Sequence, residues 1–477
     1  MKALQLAVLA LGLSACSGIT DINKDPNAPT DVGPEFLFPQ AVRSGVENTW
    51  GSFLHQSHTS IWAQQLVEIQ YPDEERGQVR PGNMQAFWDA YYAGSLTDIK
   101  AVIDKGRAAA DPNVEASGLI WQAWLFHQVT DLYGDAPYSE AIRGVEGISA
   151  PTYDSQEDIY TGLLQSLTDG AALLDPSAKT LGSSDILYGG DVEKWRRFAN
   201  SLRMRLAMRM SEASAGAAQA AFAAANTAGG FQSNDDNAML EWPGAPYENL
   251  SYENWQGRDD HGVSATMIDS LTSLSDPRLQ FYAEPAQQDG AYRGLGNNIA
   301  NPPLSLAWYS RIGNFWRRDG AATPTAIMTY SEVLFLRAEA ALRGWTGEDP
   351  AALYEAAIRA NMNQYDPWSP ANAPTDAEID AYVLQASVGY DPARGTEQIQ
   401  LQKWIALYMQ GSEAWANQRR TDLPALVAGP DLGVSRIPVR FSYPALEQSL
   451  NSTNLAEAVS RQGGGMDLVT TVWWDVN

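Results

Sequence analysis

The strongest constraint on the fold lies near the C-terminal end, in residues 397–426, EQIQLQKWIALYMQGSEAWANQRRTDLPAL. Leu401, Ile405, Tyr408, Ser412, Trp415 and Arg419 recur at steps of four and three. That spacing predicts one helix of about six turns. Gly411 sits inside it, where glycine costs about 1 kcal/mol relative to alanine. A residue this small at that point implies that a neighbouring backbone comes close. Arg419 and Arg420 occupy the last turn, where cations suit the helix dipole, and Pro424 lies just beyond. Trp404, Tyr408 and Trp415 are amphipathic rings. Three on one helix imply an element that joins separate parts of the molecule.

The chain of 477 residues is long enough for a large core, as one elongated unit or as two or three domains. Its net charge of −25 argues against nucleic acid and anionic membrane surfaces as partners. It leaves a solvated acidic surface or, less commonly, a cationic ligand. The 16 Trp and 20 Tyr either brace long helices or lie exposed for binding, because the Trp N–H resists complete burial. A single cysteine, Cys16, excludes an intramolecular disulfide and a cysteine zinc site.

That cysteine belongs to an address. Lys2 is followed by an apolar run, 3–13, too short to span a bilayer. The sequence Leu13-Ser14-Ala15-Cys16 resembles a bacterial lipobox, so residues 1–15 read as a lipoprotein signal peptide and Cys16 as the lipidated residue, carrying acyl chains such as palmitate. Three acyl chains anchor a protein stably, at about 0.8 kcal/mol per buried CH₂. Residues 16–39, with Pro26, Pro29, Pro34 and Pro39, read as the lipidated cysteine and an extended tether.

The body, 40–477, is mainly α. Helical periodicity covers 40–228, in segments 41–65, 87–105, 114–132, 154–174, 192–213 and 217–227, and resumes over 325–426. Between them, 229–324 is rich in Gly, Pro, Asn, Asp and aromatics and holds only a short helix near 263–274. A long irregular insert of this kind is where loop-borne binding is expected. The pair 328–343 and 350–365, joined by Gly344-Trp345-Thr346-Gly347 and containing Tyr354-Glu355-Ala356-Ala357-Ile358, resembles a tetratricopeptide-type hairpin. Residues 427–477 read as C-terminal loops.

Several motifs taken in order resemble the SusD/RagB family of outer-membrane lipoproteins, in its SusD-like branch. They are Asp131-Leu-Tyr-Gly-Asp-Ala-Pro-Tyr138, Met328-Thr-Tyr-Ser-Glu-Val-Leu-Phe-Leu-Arg-Ala-Glu-Ala340, and Gln402-Lys-Trp-Ile-Ala-Leu-Tyr408 through Arg419-Arg-Thr-Asp422. Arg436-Ile-Pro-Val-Arg-Phe-Ser-Tyr443 and Val472-Trp-Trp-Asp475 complete the set. The resemblance implies tetratricopeptide-like helical hairpins forming a scaffold under a loop-rich ligand-binding face. It also implies attachment to the outer membrane, facing the cell exterior, and a SusC-like TonB-dependent transporter on which the protein acts as a hinged lid. Family ligands are mostly glycans, with some peptides, and the family carries no catalysis.

A glycan site needs flat rings for sugar faces and polar groups for hydroxyls. Two stretches supply both. The first gives Tyr71, Asp73, Arg76, Arg80, Asn83, Trp88 and Tyr91. The second gives Trp242, Tyr247, Tyr252, Asn254, Trp255, Arg258, Asp259, Trp308, Tyr309 and Trp316. Any of these rings could instead serve core packing. Trp255 is singled out because its neighbours in Glu253-Asn-Trp-Gln-Gly-Arg258 are mostly polar. No catalytic or metal residue is assigned. The pair His55 and His58 lacks an acidic third ligand at a recognised spacing. Residues 233–237, SNDDN, could hold calcium but lack the EF-hand pattern. No G-x-S-x-G, H-E-x-x-H or P-loop occurs. The rival readings are a lipid-anchored glycoside hydrolase, with paired carboxyls roughly 5–9.5 Å apart, a lid that contacts ligand little, and a peptide-binding relative.

Overall fold

A computed structural model describes residues 31–371 and 373–477. The signal peptide, Cys16 and the first half of the tether lie outside these residues. The chain is mainly α, and several of its helices start at a side-chain cap. Helix α1 is Pro34–Trp50, α2 Pro81–Asp89, α3 Leu96–Ala109 and α4 Pro112–Tyr133. Helix α5 is Gln156–Leu173, α6 Val192–Arg209 and α7 Ala215–Ala228. The insert holds α8, Leu250–Gly257, and α9, Ala265–Ser273. The second helical run holds α10 Tyr330–Leu342, α11 Pro350–Asn363, α12 Asp376–Val383, α13 Gly395–Ala406 and α14 Gly411–Thr421. Asp111, Ser155, Asp191, Thr329 and Asp349 each accept a first-turn backbone N–H, and Thr375 with Glu378 closes a full capping box.

Consecutive helices pack onto one another from α3 to α7, and again from α10 to α11, while α13 packs against α10. This is the tetratricopeptide-like architecture that the sequence implies. The halves meet where α10 rests on α6. Strands occur as three two-stranded antiparallel ribbons among the described residues. The first joins β1, Leu66–Glu68, to β3, His261–Val263. The second joins β2, Ala238–Leu240, to β6, Thr325–Met328, so the insert's two ends are stapled together. The third joins β4, Ala283–Glu284, to β5, Arg311–Ile312.

Several boundaries differ from the sequence reading. The tether gives way to helix at Pro34, because Gly33 is extended, Pro34 needs no hydrogen bond at the first helical position, and Phe38 is buried against Trp195. The helix predicted over 41–65 breaks at Gly51 and continues as a π-helical segment, Ser52–Thr59. The helix predicted from 87 begins already at Pro81, and Ala90–Ser95 is a second π-helical segment between α2 and α3. The C-terminal stretch contains two helices, Ala445–Leu450 and the amphipathic α15, Ser452–Arg461, which buries Leu455 and Ala458.

The stretch 397–426 is two helices, not one. Met409, at φ 65°, turns the chain between α13 and α14. The break lets three rings face three different parts. Trp404 Nε1 donates to Ala63 O at 2.8 Å, in the first helical region. Tyr408 stacks on Tyr282 of the insert, 4.3 Å between centroids, and its hydroxyl donates to Tyr282 O at 2.9 Å. Trp415 Nε1 donates to Pro438 O at 2.9 Å, in the C-terminal stretch. The close approach implied by Gly411 is to Ser60: a Cβ there would lie 2.6 Å from Ser60 N.

The same region gathers the buried charges. Arg420 donates to both carboxylate oxygens of Glu339, at 2.8 and 2.7 Å, and Arg205 does so to Glu332, at 2.7 and 2.6 Å. Arg419 lies over Trp415 and Trp474, at 3.6 and 4.6 Å, and donates to Val439 O and Asp131 O. Trp474 Nε1 donates to Asp131 Oδ1 at 3.0 Å. Burial alone would raise the Asp131 and Glu339 carboxyls. His127 and Arg209 at Asp131, and Arg420 at Glu339, outweigh it and hold both well below the usual range. The motifs 131–138, 328–340, 402–422 and 472–475 thus converge on one ion-pair and indole network. Arg419 and Arg420 are framework groups there.

Candidate functional site

The two stretches singled out by the sequence, far apart in the chain, face each other across one cleft of 270 Å³. The π-helical segment supplies Ser52, Phe53 and Ser57, and the loop after β1 supplies Tyr71, Glu74 and Arg80. The insert supplies Asn254, Arg258, Asp260 and His261. The ribbon of β1 and β3 forms the floor, with Glu68 opposite His261 in register. A wider hollow of 480 Å³ continues past Phe53, lined also by Asn48, Phe87 and Glu253.

Two rings stand free at this cleft. Tyr71 is 60% exposed and Phe53 55%. Tyr71 has a positive φ of 60°, which is unusual for an aromatic residue and costs about 1–3 kcal/mol. The turn holds it there: Asp73 N donates to Tyr71 O at 2.9 Å and Gln78 N to Asp73 O at 2.8 Å. The result aims the ring across the cleft, where the Arg258 guanidinium lies 4.5 Å from its centroid. Rings presented in this way can cover the apolar face of a sugar while Asn254, Arg80, Arg258 and Ser57 meet its hydroxyls.

Beneath the rings the cleft is ionic. Arg80 Nε lies 3.2 Å from Glu74 Oε1, and Arg258 Nε lies 2.5 Å from Asp260 Oδ2. Ser57 Oγ and Asn254 Nδ2 lie 3.3 and 3.4 Å from the two ring nitrogens of His261. Burial pushes His261 down to about 4, so the imidazole is neutral at neutral pH. Burial pushes the Glu68 carboxyl well above the usual range, and that of Glu75 up to about 8, each reinforced by a neighbouring carboxylate. Glu75 accepts from the backbone N–H of Glu68 at 2.9 Å and of Asn298 at 2.6 Å, tying the floor to the insert.

The other expected contact residues fall elsewhere. Asp73 is exposed and is not among the residues lining the cleft, and Arg76 donates to Asp431 O at 2.9 Å, securing the C-terminal stretch. Trp88 and Tyr91 are interior, a correction to their reading as ligand contacts. Trp88 packs on Tyr92 and Tyr133, and the Tyr91 hydroxyl pairs with Thr49. The helical period turns them inward while the loop before α2 stays out. Trp242 and Trp316 are likewise buried, Trp242 donating to Thr325 Oγ1 at 2.9 Å and Trp316 lying among Phe281, Tyr282, Phe315 and Tyr365. Tyr309 is buried with Val67, Ile69 and Leu295. Tyr247 is exposed in a separate hollow of 280 Å³, under the Arg43 guanidinium. Trp308 is half-buried beneath Arg293. Tyr252 and Trp255 sit half-buried on α8 beside Asn254, with Arg317 5.6 Å from the Trp255 ring and Asp259 bridging Arg311 and Arg317.

Phe53, Ser57, Glu68, Glu74 and His261 escaped the sequence reading. Glu68 carries a signal in retrospect, as the one carboxyl in Leu66-Val67-Glu68-Ile69. Phe53 carries none, because a helix read straight through Gly51 gives it an ordinary position. His55 and His58 are buried: His55 Nδ1 meets Ser60 Oγ at 3.0 Å, and His58 packs on Trp62, Phe87 and Phe441. In 233–237, Asp236 pairs with Arg197 at 2.7 Å. Among the described residues no three His, Cys, Asp or Glu side chains converge as a metal site, and no helix is long and apolar enough to cross a membrane.

A stack of helical hairpins that carries a ring-lined polar cleft on its irregular face is the build of a ligand-binding protein. Residues 26–444 match the SusD-like family described as "Starch-binding associating with outer membrane", and the chain belongs to that family. A solved chitin-binding protein shares 29% identity with it at a TM-score of 0.82, over 93% of this chain and 100% of its own. A SusD-like protein titled Bacteroidetes AC2a shares 26% at a TM-score of 0.83, over 94% and 100%. A chitin-binding SusD homologue from Flavobacterium johnsoniae shares 26% at 0.80, over 93% and 99%. No curated protein matches the chain in sequence.

Proposed function

We propose that this protein captures an oligosaccharide in the cleft between Phe53, Tyr71 and Arg258 and passes it unaltered to a SusC-like TonB-dependent transporter. It acts there as a hinged lid, held to the outer membrane by lipid on Cys16 and facing the cell exterior, with no metal or other cofactor. The observation that carries the reading is the convergence of two exposed rings and paired charged groups from two distant stretches on one cleft. The family's starch-binding description and the two chitin-binding neighbours support a glycan as ligand. Chitin oligomers are the first ligands to try, with maltooligosaccharides and peptides as the comparison.

Calorimetric titration with that panel tests the reading. Binding without product release, weakened about tenfold by Tyr71→Ala, is the expected outcome, since truncating an aromatic anchor at a binding site commonly costs more than about 1 kcal/mol. Reducing-end products would instead favour a hydrolase, and binding untouched by Tyr71→Ala would move the site elsewhere. Co-purification with a TonB-dependent barrel tests the partner.

A further inference from the structure

The floor of the cleft holds one carboxyl more than its cations can serve. Glu68 ends β1, its side chain is 5% exposed, and it lines the cleft. Its Oε2 has no hydrogen-bond partner. An acceptor buried without a partner is unfavourable, and its usual explanation is a group that the folded chain does not itself supply. Each neighbouring arginine pairs through its Nε with a different carboxylate, Arg80 with Glu74 and Arg258 with Asp260. His261 Nε2 stands 3.7 Å from Glu68 Oε1, beyond hydrogen-bond distance, and is neutral for the reason given above. Glu75, behind the strand, adds another carboxyl and no positive charge. Glu74 also presents a buried Oε1 without a hydrogen bond, though within ion-pair distance of Arg80.

We propose that the cleft prefers an oligosaccharide bearing a free amine, a 2-amino-2-deoxy sugar, and that Glu68 receives its ammonium. This rests on the glycan-binding reading of the same cleft and names the class of glycan. An ammonium offers three donors and no acceptor, which suits a floor whose open groups are the acceptor oxygens of Glu68 and Glu74. An acetamido nitrogen offers one donor and no charge, so it meets a carboxylate more weakly than an ammonium does. The chain's charge of −25 favours the approach of a cation. Burial and the nearby Glu74 and Asp260 push the Glu68 carboxyl well above the usual range in the empty cleft, against the Ser57 hydroxyl and the Glu75 backbone N–H, which favour the carboxylate. Docking of the ammonium favours the carboxylate, so at a pH where the carboxyl is protonated its proton leaves to solvent as the amine binds.

Calorimetry on the full-length protein decides this, with the glucosamine tetramer and the N-acetylglucosamine tetramer compared in mildly acidic buffers of low and high ionisation enthalpy. The amine tetramer is expected to bind about tenfold or more tightly than the acetylated one, with close to one proton released. Glu68→Gln is expected to abolish both the preference and the proton release. Equal affinities in the wild type overturn the proposal, as does a preference that survives Glu68→Gln. The wild-type comparison stands even if the variant fails to fold. Acetylated or neutral sugars that bind through Tyr71 with no amine preference defeat only this inference. Failure of every sugar to bind defeats the glycan reading with it.

Discussion

Gly411→Ala is the sharpest probe of how the scaffold supports the cleft. An added Cβ would lie 2.2 Å from Ser60 Oγ, 2.6 Å from Ser60 N and 2.8 Å from Thr59 Oγ1. A hydroxyl can rotate away, but the backbone nitrogen cannot, so α14 and the segment beneath it must separate by roughly 1 Å to restore ordinary contact. Overpacking of this kind costs about 1–3 kcal/mol, and the better helix propensity of alanine returns less than about 1 kcal/mol. The expected net loss is about 2 kcal/mol. Ser60 also holds His55, and the π-helical segment before it carries Phe53 and Ser57 into the cleft, so ligand affinity should fall with stability. Urea unfolding followed by tryptophan fluorescence measures the first effect. For an m-value of about 4–5 kcal/mol/M, above the small-protein range because this chain exposes more surface, the midpoint drops by about 0.5 M. Gly216→Ala is the control, since nothing lies within 4 Å of a Cβ at that exposed helix start. If Gly411→Ala unfolds at or above the wild-type midpoint, the close approach does not constrain the fold and the reasoning fails.

Three further outcomes follow from the same structure. Glu339→Gln should cost about 3–5 kcal/mol in urea unfolding, because it leaves the Arg420 guanidinium buried without its carboxylate. Glu339 and Asp131 have folded pKa values below their unfolded ones, so their stabilisation is complete above about pH 5 and is lost as pH falls toward the folded values; Glu339→Gln should therefore flatten the acid limb of the stability profile. Trp88→Ala should lose about 3–5 kcal/mol of stability, whereas Tyr71→Ala should change it by no more than about 0.5 kcal/mol; the reverse ranking would show that the ring assigned to the core serves the surface. Cys16→Ser should abolish incorporation of labelled palmitate and release the protein from the membrane fraction, and unchanged labelling would refute the lipid anchor.

What the sequence determined by itself was local or carried by ordered motifs. Helical periods and caps such as Asp111-Pro112 and Thr375-x-x-Glu378 set where most helices lie, since those interactions are made within one turn. The motif order 131–138, 328–340, 402–422 and 472–475 pointed to the family, and Gly411 implied a close backbone neighbour that proved to be Ser60. The tertiary structure decided the rest, because packing partners come from distant positions. It split 397–426 at Met409 so that Trp404, Tyr408 and Trp415 could reach three separate parts, which no period along one helix encodes. It also sorted the aromatics: Trp88, Tyr91, Trp242 and Trp316 face inward, while Tyr71, held at positive φ, and Phe53, carried on a π-helical segment, face the cleft. Residue type alone is the same on both sides of that division. Glu68 became the residue of interest only when β1 paired with β3 and left its buried oxygen without a partner, a fact of register and burial that composition does not contain.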